Sequence, residues 1–186
     1  MNIAIHHILS RRSIRKFTDQ PILKEDLRLI LRCGQYAPTA MGVQPWHFSI
    51  ITQREILDAI SERCAELAQA DPNCAEWLKE EVESGSFDTF RGAPCAVIIS
   101  GEKDQPFAEV DCANAATCMA IAAQSMELGS CYIASFRPAM QGEEGRELRE
   151  LCRVPENYEP YFALAIGRPA EAPTAAERRE GTISYL

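Results

Sequence analysis

Cationic side chains are concentrated in one short segment near the start of the chain. Within six residues it holds three arginines, a lysine and a serine: Arg11, Arg12, Ser13, Arg15 and Lys16. A guanidinium presents a planar fork of donors that matches phosphate oxygens, and a serine hydroxyl adds a short donor. If the segment is extended, Arg11, Ser13 and Arg15 share one face, where a phosphate would meet two cations and a hydroxyl. A solvated basic turn without a ligand is an open alternative.

Two further segments combine small residues with turn formers. The loop 37–46 contains two prolines and a glycine, and Gln44 offers a paired donor and acceptor, so the loop can present backbone groups to a flat ligand. The segment 128–135 leaves an alanine-rich helix at Gly129 and enters a strand whose backbone could face a planar ring. Taken alone, each segment is also an ordinary connection between a helix and a strand.

The chain lacks the motifs of several enzyme classes. It has no G-x-G-x-x-G or Walker loop, and neither G-x-S-x-G nor H-E-x-x-H occurs. Its three histidines do not pair with the cysteines at the spacing of metal ligands, so no metal site is expected. Because the sequence shows none of these motifs for acid–base or nucleophilic catalysis, it favours chemistry carried out by a bound cofactor.

Hydrophobic spacing predicts the elements that must position these segments. A short helix from Ile3 to the arginine pair is followed by helices over 24–36, 53–69, 108–128 and 143–152. Strands are predicted over 48–51, 96–100, 131–136, 160–167 and 182–186. Residues 70–92 lack regular periodicity and are predicted to form a mobile lid or insertion. Interleaved helices and strands indicate an α+β or α/β fold, and the length favours one domain over 1–186.

Composition and charge narrow the class of ligand. The 186 residues are 46% hydrophobic and 25% charged, which excludes a disordered or collagen-like chain. The net charge is −8, yet residues 1–54 hold eight basic against three acidic residues. A small basic island in an acidic chain suits an anionic small molecule better than nucleic acid.

Cysteine usage and hydropathy predict where the protein resides. No apolar run approaches the ~18 residues of a membrane span, and the first residues do not resemble a secretion signal. The eight cysteines are scattered and form no C-x-x-C pair. We therefore expect reduced thiols in a cytoplasmic protein, with Cys131 a buried and inert thiol.

Together and in this order, the segments resemble the FMN-dependent nitroreductase family. The resemblance is carried by RRSIRKF at 11–17, APTAMGVQPWHF at 37–48, ELGSCYI at 127–133 and PENYEPYFALAIGRP at 155–169. It implies an α+β sandwich with a central, mostly antiparallel sheet flanked by helices. It also implies a homodimer with FMN at the subunit interface and with residues 182–186 exchanged as a strand onto the partner.

The resemblance also implies a set of FMN-binding residues. The segment that matches the family's contacts to phosphate, ribityl chain and pyrimidine edge comprises Arg11, Arg12, Ser13 and Arg15. The loop that reaches in from the second subunit comprises Pro38, Thr39, Ala40 and Gly42, with Gln44 at its end. The segment near the flavin ring comprises Tyr132, Ile133 and Ala134. The candidates for a further phosphate-binding residue are Arg178 and Arg179.

The implied activity is that of an FMN-dependent NAD(P)H oxidoreductase. Hydride from NADH or NADPH would reach flavin N5, and a nitroaromatic, quinone or similar acceptor would then take its place, which gives ping-pong kinetics. Arg15 is the candidate cation beside the flavin N1–C2 carbonyl edge, and residues 70–92 would set the choice of acceptor. Gly42 stands where many members carry Asn, which leaves open a flavin-binding sensor or store, or a member that consumes flavin.

Overall fold

An antiparallel sheet of four strands runs through the centre of the protein. The computed structural model describes residues 1–186. In chain order the elements are α1 (Ile3–Ser10), α2 (Lys24–Gln35), β1 (Trp46–Ile51), α3 (Arg54–Ala70), α4 (Glu76–Glu83), β2 (Cys95–Glu102), α5 (Ala108–Ser125), β3 (Gly129–Ile133), α6 (Arg146–Leu151) and β4 (Tyr158–Gly167). The strands lie in the order β1-β2-β4-β3, and every neighbouring pair is antiparallel. The predicted α+β class with a central antiparallel sheet is confirmed.

The sheet separates two apolar cores because side chains alternate between its faces. In β2, Ala96 and Ile98 point into one core together with residues of α3. Val97 and Ile99 point into the other core, which is formed with α2 and α5. All four side chains are fully buried, as expected for a central strand covered on both faces. The sheet therefore gives a rigid support for segments that lie along its edges.

The long helix α5 packs closely against α2 because small residues line its surface. A Cβ added at Gly34 of α2 would lie only 2.8 Å from the Met119 Cγ of α5, so glycine allows the two helices to approach. The eighteen residues of α5 correspond to a rod about 27 Å long. Its last turn leads through Leu128 into β3, and its first turns lie below the loop that follows α2.

Two predicted elements differ from the structure. Residues 76–83, inside the segment predicted to be irregular, form α4, because Leu78 and Val82 lie four residues apart on one partly buried face, while Glu76, Glu80 and Glu83 are exposed. Residues 182–186 form no strand within the chain, because they pair with no strand edge of this chain and are exposed. Their exchange onto a partner stays a prediction.

Apolar side chains remain exposed at the two ends of the chain. Helix α1 has no buried residue, and Ile3, Ile5 and Ile8 are each at least half exposed. Ile183 and Tyr185 are exposed at the other terminus. None of the helices combines the length and the apolar character that crossing a membrane requires.

Candidate functional site

The basic segment lies along the outer edge of β3. Ser13 forms an isolated parallel bridge with Ser130, and the Ile14 N–H donates to the Ser130 carbonyl at 2.9 Å. The Ile14 side chain is buried against Gly129, where an added Cβ would lie 2.8 Å from Ile14 Cγ1. Glycine at this position therefore allows the segment to approach the sheet. The bridge and the hydrogen bond place Ser13 and Ile14 directly alongside β3.

The stretch after β4 holds the other side of the same segment. The Thr18 N–H donates to the Arg168 carbonyl at 3.0 Å, and the Ala170 N–H donates to the Lys16 carbonyl at 2.9 Å. The Glu171 carboxylate accepts a hydrogen bond from the Arg15 N–H. No sequence pattern points to Glu171, because this contact joins residues 156 positions apart. The segment is therefore fixed from both sides, and its side chains project from a defined backbone.

The three arginines of the segment are not equivalent. The Arg12 guanidinium donates to the carbonyls of Leu9 and Arg11, at 2.8 and 2.7 Å, and so satisfies the carbonyl end of α1. The guanidinium groups of Arg11 and Arg15 take part in no hydrogen bond or ion pair with another protein group. The guanidinium groups of Arg11 and Arg15 and the Ser13 hydroxyl thus remain available to an anion, whereas Arg12 also caps α1 through its Nη1; its binding role stays a prediction.

A further arginine, Arg91, acts on the same strand as Arg15. Burial raises the pKa of the Cys131 thiol, while the positive charges of Arg15 and Arg91 act in the opposite direction. The guanidinium groups therefore lie close enough to influence one buried side chain of β3. Cys131 is buried and protonated at neutral pH, in agreement with an inert thiol. Arg91 belongs to the segment before β2 that lacks periodicity, so the sequence around it does not indicate that it lies near the candidate site.

The residues predicted to face a flavin ring divide between the two faces of the sheet. Ile133 is 6% exposed and belongs to the core on the α3 side, so its side chain cannot contact a ligand. Tyr132 is 40% exposed on the opposite face, and its ring centroid lies 5.0 Å from that of Phe162. Because alternate residues direct their backbone groups to the same edge, Tyr132 and Ser130 both present theirs to the edge at which the basic segment lies. Ala134 follows the strand and is exposed.

The loop after α2 is held by the first turns of α5. The Ala40 N–H donates to the Asp111 carboxylate at 3.1 Å, and Asn114 Nδ2 donates to the Pro38 carbonyl at 3.2 Å. Asp111 is only 3% exposed, so its carboxylate has a structural role in the loop. Because α5 carries other polar residues as well, among them Glu109 and Thr117, the sequence does not single out this contact.

The conformation inside the loop depends on left-handed residues. The φ angles of Met41, Gly42 and Gln44 are 53°, 69° and 54°. The Gln44 N–H donates to Thr39 Oγ1 at 3.3 Å, which closes the turn. Gly42 adopts its φ without the strain that a side chain would add. The result is an exposed loop with a defined backbone.

A single chain brings together only part of the predicted site. The loop contacts the start of α5, whereas Ser13 and Ile14 contact residues that follow the end of this helix. No hydrogen bond or ion pair joins the loop to residues 11–15. Arg178 and Arg179 lie in the exposed tail and form no ion pair. One chain therefore assembles the basic segment with β3, and leaves the loop and the two C-terminal arginines outside this arrangement.

Comparisons with known proteins agree with this architecture. A sequence profile described as the nitroreductase family matches residues 8–168. An NADPH-flavin oxidoreductase of Vibrio harveyi is 31% identical over 186 residues, covering 96% of this chain and 70% of that protein. An FMN reductase (NADPH) of Bacillus subtilis is 28% identical over 176 residues, covering 91% of this chain and 67% of that protein. A crystal structure of a nitroreductase with bound FMN from Bacteroides fragilis has a TM-score of 0.89, 31% sequence identity and complete coverage (100%) of both chains.

Proposed function

Because the chain belongs to the nitroreductase family, we propose that it is an FMN-dependent NAD(P)H oxidoreductase that reduces a nitroaromatic, quinone or similar acceptor. The observation that carries the proposal is the pair of unengaged guanidinium groups, Arg11 and Arg15, held beside Ser13 along the β3 edge. Bound FMN would supply a carrier that takes hydride from NAD(P)H and passes reducing equivalents to an acceptor, so both substrates use one site in turn with ping-pong kinetics.

The donors present along β3 fit a flat, phosphorylated molecule. Arg11 and the Ser13 hydroxyl would hold the phosphate and ribityl chain, because a guanidinium and a hydroxyl are strong donors to phosphate oxygens. The Arg15 N–H donates to the Glu171 carboxylate, so the backbone of this segment directs a donor towards a negatively charged oxygen. The backbone edge at Tyr132 would lie along the ring, since Tyr132 and Ser130 direct their backbone groups to the same edge.

Arg15 would place its positive charge at the pyrimidine edge of the ring. The side chain is exposed in the single chain and has no carboxylate partner, so its charge is not neutralised within the protein. A nearby cation stabilises negative charge that develops at a carbonyl edge during reduction. Arg15 thus positions and stabilises the cofactor, and no side-chain acid or base is required for hydride transfer.

We also propose a homodimer in which each site is completed by the partner. The loop from Pro38 to Gln44 is held on α5 and is not bonded to its own chain's basic segment. The apolar residues of α1 and of 182–186 are exposed, as expected for surfaces that a second copy covers. Arg178 or Arg179 would then reach phosphate, and the tail would add a strand to the partner.

The visible spectrum of the FMN-reconstituted protein tests the function. Flavin absorbance that bleaches under anaerobic NADH or NADPH, and returns when an acceptor is added, supports the oxidoreductase. Bound flavin that neither nicotinamide bleaches would instead support a sensor or store. Loss of reduced flavin into new products under oxygen would support a flavin-consuming member.

Arg15→Ala tests the site, with Lys16→Ala as the matched control from the opposite face of the same segment. Removing a charge-assisted contact should weaken FMN binding by roughly tenfold. It should also lower the flavin potential. The Lys16→Ala variant should keep the wild-type affinity. Equal FMN affinity and equal potential in both variants would remove the role assigned to Arg15.

A further inference from the structure

We propose that a cavity between α3, α4 and the end of β3 binds the electron acceptor, and that Arg91 selects acceptors that are aromatic anions. The inference rests on the proposed function, because it names the class of acceptor that the enzyme takes.

The cavity has the size and lining of a small-molecule site. Its volume is about 550 Å³, within the usual range for ligand pockets. Nine of its fourteen lining residues are hydrophobic, among them Leu67, Trp77 and Phe87. Trp77 is 56% exposed, so a large aromatic ring is available at this surface. A planar aromatic molecule would replace water against these side chains.

Arg91 supplies the one cationic side chain of the cavity. Only two lining residues are charged, Asp71 and Arg91. The Asp71 carboxylate accepts the Asn73 N–H at 2.8 Å, so it is engaged in a local turn. The Arg91 guanidinium makes no hydrogen bond to a protein group and forms one ion pair, with the Glu81 carboxylate at 3.6 Å, so its N–H groups are unengaged although its charge is partly balanced. The guanidinium N–H groups can therefore bind a carboxylate or a similar anionic substituent.

The backbone around Arg91 is built to hold this side chain in place. Its φ of 61° lies in the left-handed region, and it follows no helix, unlike Glu127 and Arg153. The Asp88 carboxylate holds the turn by accepting the N–H groups of Phe90 and Gly92 at 2.7 and 2.8 Å. Strained residues persist only where the surroundings hold them, and they occur preferentially at functional sites.

The cavity adjoins the segment proposed to lie along the flavin ring. Ser135 lines the cavity and directly follows Ala134. Arg91 and Arg15 both influence the thiol of Cys131, which lies in the same strand. A ring held against Trp77 with its anionic group on Arg91 would therefore lie beside the edge of β3. An arginine in this position would contact a molecule bound next to the flavin, whereas an arginine elsewhere on the surface would not.

Two acceptors of nearly equal size separate charge from shape. 4-Nitrobenzoate carries a carboxylate where 4-nitrobenzamide carries a neutral amide. In Arg91→Gln, the KM for nitrobenzoate should rise by about 10- to 100-fold, the range for losing a hydrogen bond to a charged group. The KM for nitrobenzamide should change by less than about twofold. Arg91→Lys should recover part of the preference for nitrobenzoate, and Arg146→Gln, an exposed arginine of α6, should behave as wild type.

Binding without turnover gives a second readout. Benzoate added to the FMN-loaded protein should quench Trp77 fluorescence in wild type and about tenfold less strongly at a given concentration in Arg91→Gln. Equal losses for both acceptors, or unchanged benzoate binding in Arg91→Gln, would overturn the inference. A loss of FMN affinity in Arg91→Gln would place the arginine on the cofactor and would overturn it too.

Failure of the proposed function has a different signature. If NAD(P)H does not bleach the bound flavin of the wild-type protein, the oxidoreductase assignment fails. If bleaching and the reduction of nitrobenzamide proceed while Arg91→Gln does not discriminate between the two acceptors, only the inference about Arg91 fails.

Discussion

Asp88→Asn should destabilise the turn that precedes β2. The carboxylate accepts N–H groups of Phe90 and Gly92 at 2.7 and 2.8 Å and pairs with the Arg54 guanidinium at 2.7 Å. Asparagine keeps the shape and one acceptor oxygen, so the variant loses one backbone contact and the ion pair. A hydrogen bond to a charged group contributes about 1.5–3 kcal/mol. The pair with Arg54, whose side chain is 46% exposed, adds at most about 1 kcal/mol.

We therefore expect a loss of about 2–3 kcal/mol in the free energy of unfolding at pH 7. For a protein of this length, that loss corresponds to a fall in Tm of roughly 4–12 °C. Asp58→Asn is the matched control, because Asp58 pairs with the same arginine but is itself 46% exposed. Its removal should change the free energy of unfolding by less than about 0.5 kcal/mol.

The stability difference should depend on pH. Burial alone would raise the pKa of Asp88, but the Arg54 guanidinium and the two backbone N–H groups lower it more, so the folded pKa lies below the ordinary value. The stabilisation is then fully present above the unfolded pKa of about 3.9 and is lost as pH falls through the folded pKa. The gap between wild type and Asp88→Asn should be constant from pH 7 to about 5 and should shrink below about 4.

Urea unfolding at pH 7, 5 and 3 measures this gap directly. A difference below about 0.5 kcal/mol at pH 7 would refute the assignment of Asp88 as the anchor of the turn. A difference at pH 3 equal to that at pH 7 would refute its electrostatic origin. Unchanged m-values would show that the denatured state is not responsible.

Two further substitutions test the contacts that position the site. Gly129→Ala places a Cβ 2.8 Å from Ile14 Cγ1, so thermal unfolding should show a loss of about 1–3 kcal/mol; FMN affinity should fall as the basic segment shifts, and a wild-type affinity would contradict the close packing. Asp111→Ala removes the acceptor of the Ala40 N–H and should cost about 1–2 kcal/mol by the same measurement; an unchanged melting temperature would contradict the loop anchor.

Much of the fold can be predicted from local patterns, because the periodicity of a helix or strand depends only on residues that are close in the sequence. The strand β2 contains an apolar run from Cys95 to Ile99, and α5 is a long helix rich in alanine, so both follow from the sequence. The sequence also identifies Arg11 and Arg15 as candidate site residues, because both lie within two residues of Ser13. Helix α4 is harder to predict, since eight residues between turns carry little periodic signal.

The remaining site residues depend on contacts between distant parts of the chain. Glu171 reaches Arg15 across 156 positions, and Asp111 reaches Ala40 across 71. Neither carboxylate belongs to a motif, so their roles appear only when the sheet and α5 bring them into place. The position of Arg91 depends on a turn that the Asp88 carboxylate stabilises. Its positive φ angle cannot be predicted from composition or from residue spacing.

The separation of the loop from the basic segment has a thermodynamic consequence. The loop is bonded to Asp111 and Asn114, so it moves as a unit with α5. In the proposed dimer, a cofactor that contacts residues 11–15 of one chain and the loop of the other binds only the associated state. A ligand that binds one state stabilises that state by mass action, and the coupling is reciprocal. FMN should therefore tighten the dimer by the same factor by which association tightens FMN binding, and dilution of the apoprotein below its dimer dissociation constant should lower the apparent FMN affinity.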